Sequence, residues 1–593
     1  MHVAKVSKRY STVSGPRESV SYLLRRSYRE AGKVKHETLA NLSPLPMAAI
    51  DAVRAALAGQ PVVTADAAAG QGVQVTRSLP HGHVAAVHAA AKALGLPGLV
   101  GPAGRSRDLV LALIIARVVN PASKLATTGW WADTTLGVDL GVGDASTDEC
   151  YAAMDWLADR QDAIEAKLAR RHLAAAANPS RMALFDLSSS WLEGRCCPLA
   201  ARGYSRDGRK GKLQIEYGLL TDPEGRPVAV RVFAGSTADP TAFVEAVKIV
   251  RDKFGLHKMV MVGDRGMITS ARIDALKAAD HDTDNDTDND MGWVSALRAP
   301  AIAKLAADDG PLQMSLFDQH DLAEISHPDY PGERLIACRN PALAAERARK
   351  RGELLQATQT LLDQIVARVQ RGSLVGADKI GVAVGKQINT YKVGKHFQVA
   401  ITDTSLTITR RQAQIDTEAA LDGIYVLRTS VPAETLPTAA VVTAYKNLSH
   451  VERDFRTIKT DDLQLRPIHH RLTDRVRAHV QIAMLAAYLV WHLRRAWAPL
   501  TYTDEHPPHH HNPVAPAKRS TAATRKASRH RDPDGQPVRN FRGLLAHLAT
   551  LTRNDIRYGN QPTAPVVPTL ALPTPTQRRA FELLNTPIPL NLK

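Results

Sequence analysis

Residues 182–189, MALFDLSS, form a short apolar run interrupted by one aspartate, and they mark a change from helical to strand-like patterning. Two more strand-like runs follow at 212–220 and 227–233, joined by Asp-Pro-Glu-Gly, and the three runs together predict an antiparallel meander. A helical pattern over 240–254 then precedes the apolar run 259–263, MVMVG, which is typical of a strand buried on both faces.

The pattern continues with a helix predicted at 270–279 and a strand at 293–297. The order β-β-β-α-β-α-β indicates an α/β fold with one mixed sheet and helices on its faces. In such a sheet the first strand and the later parallel strand lie side by side. Between the last two elements, the acidic run 280–290 lacks the glycine and the closing glutamate of a calcium loop, so a solvated loop is favoured.

Outward from this core, the composition divides the chain into five predicted segments. The first combines a hairpin at 19–42 with a mainly helical region, whose basic residues either contact the phosphates of DNA or form a solvated helix face. The third is an inserted subdomain with a long polar helix and a β-rich part. The second and fourth form the core, the fourth with long helices at 438–459 and 474–495. The last holds a flexible basic linker at 503–542, where the histidines at 509–511 are interpreted as solvated rather than metal-bound. The boundaries are 1–178, 179–298, 299–436, 437–500 and 501–593.

The chain has 593 residues, with 76 Lys and Arg against 59 Asp and Glu, which gives a formal net charge of +17. Such a surplus favours a polyanionic partner, either nucleic acid or an acidic membrane surface. The most apolar stretch, IAMLAAYLVW at 482–491, is about half of what a bilayer crossing needs, so nucleic acid is favoured and no membrane is expected. With four cysteines, no CxxC pair and no signal-peptide pattern, a cytoplasmic protein is expected.

Two aspartates are candidates for a shared site. Asp186 interrupts an apolar strand, where an ionised carboxylate is costly unless it is paired or bound to metal. Asp264 ends the run MVMVG and is followed by Arg265 and Gly266. On neighbouring strands the two carboxylates can approach each other, and they repel unless a cation lies between them. A metal site is favoured over two separate turn-initiating aspartates.

A predicted helix supplies a third carboxylate. The segment YKNLSHVERDFRTIK begins at Tyr445 and places Glu452 seven residues later and Lys459 seven residues after that. Seven residues are almost two helical turns, so these side chains share one face with Leu448 and Arg456. Such a face suits metal ligation beside a phosphate, and a salt-bridged surface helix is the alternative.

Other residues near the predicted site have two interpretations each. The basic loop 202–212, RGYSRDGRKGK, is interpreted either as a grip on DNA or as a solvated loop. Trp191 and Trp293 are candidates to stack on a displaced base, although a role in the core is favoured for both.

The combination of motifs resembles a DDE transposase of bacterial insertion sequences. The branch it resembles has a catalytic helix with Tyr, two residues, Arg, three residues, Glu, six residues and Lys. This chain matches at Tyr445, Glu452 and Lys459, and it departs at Leu448, where the branch has arginine. The stretch 203–225 and the sequence Asp-Arg-Gly that starts at residue 264 are also similar to that branch, and the resemblance spans about residues 19 to 495.

The resemblance implies an RNase H-like mixed-sheet core with a β-rich and helical insertion before the glutamate helix. It implies that Asp186, Asp264 and Glu452 are the catalytic residues and hold two divalent cations, Mg²⁺ or Mn²⁺. It also implies four DNA-binding residues: Tyr445, Lys459, Arg456 and Arg265. Among them, Arg456 is a substitute for the absent arginine.

The implied activity is metal-dependent cleavage at the ends of the element, followed by transfer of the 3′-hydroxyls to target DNA. The implied partners are the terminal inverted repeats and the target DNA, with a homodimer in the DNA complex and a location at the bacterial nucleoid. Two alternatives stay open. One is a nuclease of the same fold that never joins strands, and the other is a non-catalytic DNA-binding derivative, which would need a broken carboxylate set.

Overall fold

The computed structural model describes residues 1–12, 15–30, 33–58, 73–268, 291–307, 310–508, 512–559 and 563–592. Three predicted features lie outside these residues: the helix at 270–279, the acidic run at 280–290 and the histidines at 509–511.

The chain forms two compact units, and the first comprises Met1–His81 and Leu551–Leu572. Its first sheet has the order β1-β2-β3, and its second has the order β16-β15-β4, with all strands antiparallel. One helix, α1, follows the first sheet. The bounds are β1 His2–Thr12, β2 Gly15–Glu30, β3 Lys33–Asn41, α1 Met47–Leu57, β4 Val73–Pro80, β15 Thr552–Tyr558 and β16 Val566–Leu570.

The predicted hairpin at 19–42 is confirmed by the pairing of β2 with β3, and β1 extends it to three strands. The pattern did not indicate β1 because its described side chains are mostly exposed, so neither face has the apolar alternation of a half-buried strand. The segment 501–593 contributes to both units and is not one separate region. Its strand β15 pairs with β4, about 480 residues away in the chain, as the bond from Thr76 Oγ1 to the Asp555 carbonyl illustrates.

The second unit, Gly82–Thr550 with Pro573–Lys593, begins with the predicted helical region. Helix α4 is buried along most of its length and packs against the long helix Thr473–Ala496. At α7 the Ser146 hydroxyl and the Glu149 carboxylate form a capping box, which stabilises the start of that helix. The bounds are α2 Gly82–Ala93, α3 Leu96–Val100, α4 Arg105–Val119, α5 Lys124–Ala132, α6 Thr135–Leu140, α7 Thr147–Ala158 and α8 Gln161–His172.

An eight-stranded mixed sheet with the order β10-β11-β14-β9-β8-β5-β6-β7 forms the centre of this unit. The predicted meander is confirmed as β5, β6 and β7. Strand β8 pairs with β5 in the parallel direction, and β9 pairs with β8 in the same direction. This is the RNase H-like arrangement. The bounds are β5 Met182–Trp191, β6 Gln214–Thr221, β7 Pro227–Ala234, α9 Asp239–Lys248, β8 Val260–Gly263 and β9 Gly292–Ala296.

A close approach between β5 and β6 requires glycine at position 218. Gly218 pairs with Leu187, and a Cβ there would lie 2.5 Å from the Phe185 ring. The Phe185 ring therefore lies close to the backbone of β6 at Gly218. This contact fixes the stretch of β5 that carries Asp186.

The segment 299–436 differs from the predicted separate subdomain, because three of its strands extend the central sheet. Strand β14 pairs with β9, and β11 and β10 follow in antiparallel order. The rest of the segment has its own apolar core, which includes Leu362, Ile380 and Phe397. The bounds are α10 Ala299–Leu305, β10 Leu322–Ile325, β11 Arg334–Arg339, α11 Pro341–Gln370, α12 Ala377–Ile388, β12 Phe397–Ile401, β13 Leu406–Arg410, α13 Gln412–Ala419 and β14 Ile424–Thr429.

The prediction of one continuous helix over 438–459 is wrong. The structure has α14 Thr438–Lys446, a break at Asn447, α15 Leu448–Arg456 and a π-helical turn Thr457–Asp461. Hydrophobic periodicity cannot reveal such a break, because the residues on either side remain helical. The predicted helix at 474–495 is confirmed as α16 Thr473–Ala496. The remaining helices are α17 Thr521–Arg529, α18 Phe541–Ala549 and α19 Pro575–Glu582.

No single helix within the described ranges is long and apolar enough to cross a membrane. A sharply bent pair, Arg105–Val119 with Lys124–Ala132, passes the same test by length and composition alone.

The prediction of a flexible linker over 503–542 is wrong for the residues that the structure describes there. Ser520 caps α17, and Asp504 accepts hydrogen bonds from the Ser520 amide and hydroxyl. The buried Lys526 ammonium donates to the Ala498 and Thr503 carbonyls and pairs with Glu505 at 3.0 Å. The segment is therefore anchored by specific contacts, which its basic composition did not indicate.

Replacing Lys526 with methionine is expected to make trypsin cleave the segment 512–542 roughly tenfold faster or more, because two buried carbonyls lose their donor at a cost of about 1–3 kcal/mol. The measurement is limited proteolysis followed by mass spectrometry. The exposed Arg525, also on α17, gives the control Arg525→Met. Equal cleavage rates in the two variants would contradict the anchoring role.

Candidate active site

Asp186 and Asp264 lie on adjacent parallel strands. Strand β5 pairs with β8 in a register that ends at Phe185 opposite Gly263, and the two aspartates are the next residue on each chain. The predicted proximity of these two residues therefore follows from the parallel pairing of β5 with β8. Asp186 Oδ1 accepts a hydrogen bond of 2.7 Å from the Leu187 amide.

The electrostatic environment of Asp186 is unfavourable to its charge. Burial is the main cause that raises the pKa of Asp186 to about 7, and the charges of Asp264 and Glu452 contribute to that rise. The Leu187 amide and the Arg206 guanidinium act in the opposite direction without offsetting the burial. Burial is therefore the dominant influence on the charge of this carboxylate.

Tyr445 connects the glutamate-bearing helical segment to the sheet. Its hydroxyl donates to Asp264 Oδ1 at 2.9 Å, and the same oxygen accepts from the Arg265 amide at 2.7 Å. Burial and then the charge of Asp264 raise the pKa of Tyr445 above its usual value, so the hydroxyl keeps its proton and acts as a donor. The bond fixes one carboxylate oxygen of Asp264.

Glu452 lies on α15, which packs against β5, and its side chain is exposed. Its charge acts on Asp186, so the three predicted carboxylates share one electrostatic environment. Over the described residues, however, no three or more His, Cys, Asp or Glu side chains are already close enough to form a metal cluster. Asp264 and Glu452 therefore act electrostatically on Asp186, but the three carboxylates form no closed ligand set among the described residues.

The chemistry of these side chains fits a hard divalent cation. All three donors are carboxylates, and oxygen ligands suit magnesium or manganese rather than zinc. The raised pKa of Asp186, caused by burial and by two neighbouring carboxylates, is the condition that a bound cation relieves. Asp186, Asp264 and Glu452 are therefore the residues that could hold such an ion.

Lys459 lies in the π-helical turn after α15, and its side chain is only 10% exposed. Its ammonium donates to Asp207 Oδ1 at 2.9 Å. Burial lowers the pKa of Lys459, and Asp207 partly offsets this effect. The cation is therefore held by Asp207 of the basic loop 202–212.

The other predicted DNA-binding residues have different positions. Arg265 and Arg456 are exposed, and both guanidinium groups are available at the surface. Leu448, predicted to share the face of Glu452, is instead buried with 8% exposure. The shared-face prediction therefore does not hold for Leu448, because its side chain is buried while Glu452 is exposed.

Sequence reasoning missed two residues of the basic loop that anchor it. The Arg206 amide donates to Ser189 Oγ at 3.0 Å, and its guanidinium bonds Glu216 and Asp239. Asp207 is buried among cations. The available signal was a lone carboxylate in a strongly basic stretch, RGYSRDGRKGK, which argues against a freely solvated loop.

The two candidate tryptophans differ. Trp293 is 3% exposed and packs against the Arg428 guanidinium at 5.0 Å, so it fills the core and does not stack on DNA. Trp191 is partly exposed at the end of β5, with Arg209 and Lys212 near its ring at 5.6 and 5.8 Å. It borders an open cavity of about 370 Å³.

Comparison with known proteins identifies the class. Residues 194–489 match the model of the transposase DDE domain, and residues 7–66 match the N-terminal domain of IS1634 family transposases. Together the two matches cover more than half of the chain. The chain belongs to the DDE transposases of insertion sequences, enzymes that act on DNA and use divalent metal ions. Its N-terminal domain is of the IS1634 type.

The match to the DDE domain contains Asp264, Tyr445, Glu452 and Lys459, but it begins eight residues after Asp186. The sequence matches no curated protein. Among solved structures, it is similar to a piggyBac transposase in a synaptic complex with hairpin DNA, determined by cryo-EM. That similarity has 10% sequence identity and a TM-score of 0.30, and it covers 76% of this chain and 72% of that one.

Proposed function

We propose that this transposase cuts DNA at the ends of its element and joins the exposed 3′-hydroxyls to target DNA by direct transesterification. The observation that carries the proposal is the pair Asp186 and Asp264 on adjacent parallel strands, together with the effect of the Glu452 charge on Asp186. The reaction needs no covalent protein intermediate, since both steps are displacements at phosphorus by an oxygen nucleophile.

Asp186, Asp264 and Glu452 would hold two Mg²⁺ or Mn²⁺ ions. Such ions, when bound, activate a water or a 3′-hydroxyl and stabilise the leaving oxygen of an in-line displacement. The protein residues supply the orientation. The Tyr445 hydroxyl and the Arg265 amide hold one oxygen of Asp264, and the Leu187 amide holds one oxygen of Asp186.

DNA binding is assigned to cations around these carboxylates. Arg265 and Arg456 are exposed near the site, and Lys459 and Tyr445 contact the DNA backbone in the proposed complex. With a net charge of +17, we expect affinity for DNA to fall steeply as salt increases.

The proposed substrate is a pair of terminal inverted repeats, and the proposed active form is a homodimer in which each copy acts on one end. The DNA that flanks the coding region supplies the substrate. Mass photometry of the chain mixed with duplexes of both ends tests the stoichiometry, and a complex with one copy per two ends would contradict it.

A strand-transfer assay tests the reaction itself. A labelled duplex that contains an uncut element end and its flanking DNA is incubated with the protein, Mg²⁺ and plasmid. Label joined to the plasmid supports the proposal. Cleaved products without joined label would identify a nuclease. The absence of both products would identify a DNA-binding protein without catalytic activity.

Replacing Tyr445 with phenylalanine is expected to lower the cleavage rate roughly tenfold, because Asp264 loses a hydrogen bond worth about 1.5 kcal/mol. The rate is measured at saturating DNA. Tyr391→Phe, at an exposed tyrosine in the insertion, is the matched control. Equal rates in the two variants would show that the hydroxyl does not orient Asp264.

A further inference from the structure

Asp207 is the one carboxylate in the basic loop 202–212, and its side chain is 1% exposed. Its Oδ1 accepts from the Lys459 ammonium at 2.9 Å and from the Arg466 guanidinium. Its Oδ2 accepts from the Trp191 amide at 3.2 Å. One buried carboxylate therefore joins three separate parts of the catalytic unit: the loop, the turn after α15 and the end of β5.

The buried Asp207 carboxylate and its two cations compensate each other's charge. A buried carboxylate is costly unless it is paired and hydrogen-bonded, and here two cations and one amide satisfy it. Conversely, Lys459 and Arg466 share a single oxygen and would repel each other without it. Burial lowers the pKa of Lys459, and Asp207 partly offsets this effect.

Most N–H groups of the Lys459 ammonium and the Arg466 guanidinium do not donate to Asp207. An ammonium has three N–H groups and a guanidinium has five, whereas each cation gives one bond to this carboxylate. Both side chains line the cavity of about 370 Å³ next to Trp191, together with Arg209 and Gln464. The Arg466 side chain is 24% exposed, so its guanidinium is accessible from solvent.

We propose that Asp207 is a positioning residue that holds Lys459 and Arg466 as a pair of cations for one phosphodiester of the bound DNA strand. Arg466 then supplies a guanidinium beside Lys459, whereas position 448 carries a buried leucine. The inference rests on the proposed function, since it assigns a DNA contact to the same active site.

The cavity lies away from the cleavage chemistry. Trp191 follows Asp186 by five residues on β5, which is about 16 Å along an extended strand. The phosphodiester held there is therefore a different one from the cleaved phosphodiester, and it positions the strand without taking part in the reaction. A guanidinium can bind two phosphate oxygens at once, and an ammonium adds a point charge.

The test compares Asp207→Asn, Arg466→Gln and the double variant in binding a duplex of the element end at several salt concentrations. We expect each single variant to bind roughly tenfold more weakly, with the slope of log affinity against log salt reduced by about 1. The double variant should bind no more weakly than either single variant, because both changes remove the same contact. The loss should fall on the apparent KM for DNA more than on kcat.

The exposed Arg471, in the segment after Arg466, gives the matched control Arg471→Gln. Should Asp207→Asn fail to fold, as circular dichroism would show, Arg466→Gln decides the question alone. Wild-type affinity and salt slope in folded variants would overturn the inference, as would additive losses in the double variant. These results are separate from a failure of the proposed function, in which the unmodified protein neither cuts nor joins the DNA.

Discussion

Replacing Asp186 with asparagine is expected to lower the rates of DNA cleavage and strand transfer by at least about 10³-fold. Asparagine keeps the shape of the side chain but removes the charge that a divalent cation requires. Affinity for DNA should be retained or should increase, because a carboxylate that repels phosphates is lost. Both rates are measured with a labelled element-end duplex in Mg²⁺, and binding is measured in Ca²⁺.

Asp222→Asn is the matched control for a change at a buried aspartate of the same sheet. Asp222 is 4% exposed, follows β6 and pairs with Arg226 at 2.8 Å. Its replacement should lower stability and leave the rates of the folded protein near those of the wild type. Undiminished cleavage by Asp186→Asn would contradict the assigned role, and an equal loss in both variants would attribute it to folding.

Replacing Glu452 with glutamine is expected to reduce both rates at least about 10²-fold while leaving thermal unfolding nearly unchanged. The side chain is exposed, and exposed substitutions usually change stability by about 0.5 kcal/mol or less. Activity and stability therefore separate more cleanly here than at the half-buried Asp186.

Glu434→Gln, at an exposed glutamate shortly before α14, is the control for loss of one surface charge. It should cut and join DNA at the wild-type rate. If Glu452→Gln is equally active, the third carboxylate of the site must be a different residue, and the helix α15 has no part in the chemistry.

The adjacency of Asp186 and Asp264 could be predicted from sequence because both strands are strongly apolar and their order along the chain is typical of a mixed sheet. The runs MALFDLSS and MVMVG each contain a feature that patterning detects: burial on both faces. The helix that carries Glu452 was also predictable from its spacing. Its interruption at Asn447 was not, because the residues on either side remain helical and the hydrophobic periodicity gives no sign of it.

Long-range pairing could not be predicted. Strand β14 joins the central sheet, and β15 pairs with β4, although nothing local in either strand specifies its partner. The same holds for Asp207, whose partners Lys459 and Arg466 lie more than 250 residues later in the chain. Composition indicated a flexible linker at 503–542, but the buried Lys526 anchors it through contacts that composition cannot reveal.

The central claim is that Asp186, Asp264 and Glu452 hold divalent cations in one site. Electron paramagnetic resonance of Mn²⁺ titrated into the protein bound to element-end DNA tests it most directly, for the wild type and for Asp186→Asn, Asp264→Asn and Glu452→Gln. We predict tight Mn²⁺ binding by the wild type and loss of it in each variant. Wild-type Mn²⁺ binding in any one of the three would contradict a site shared by all of them.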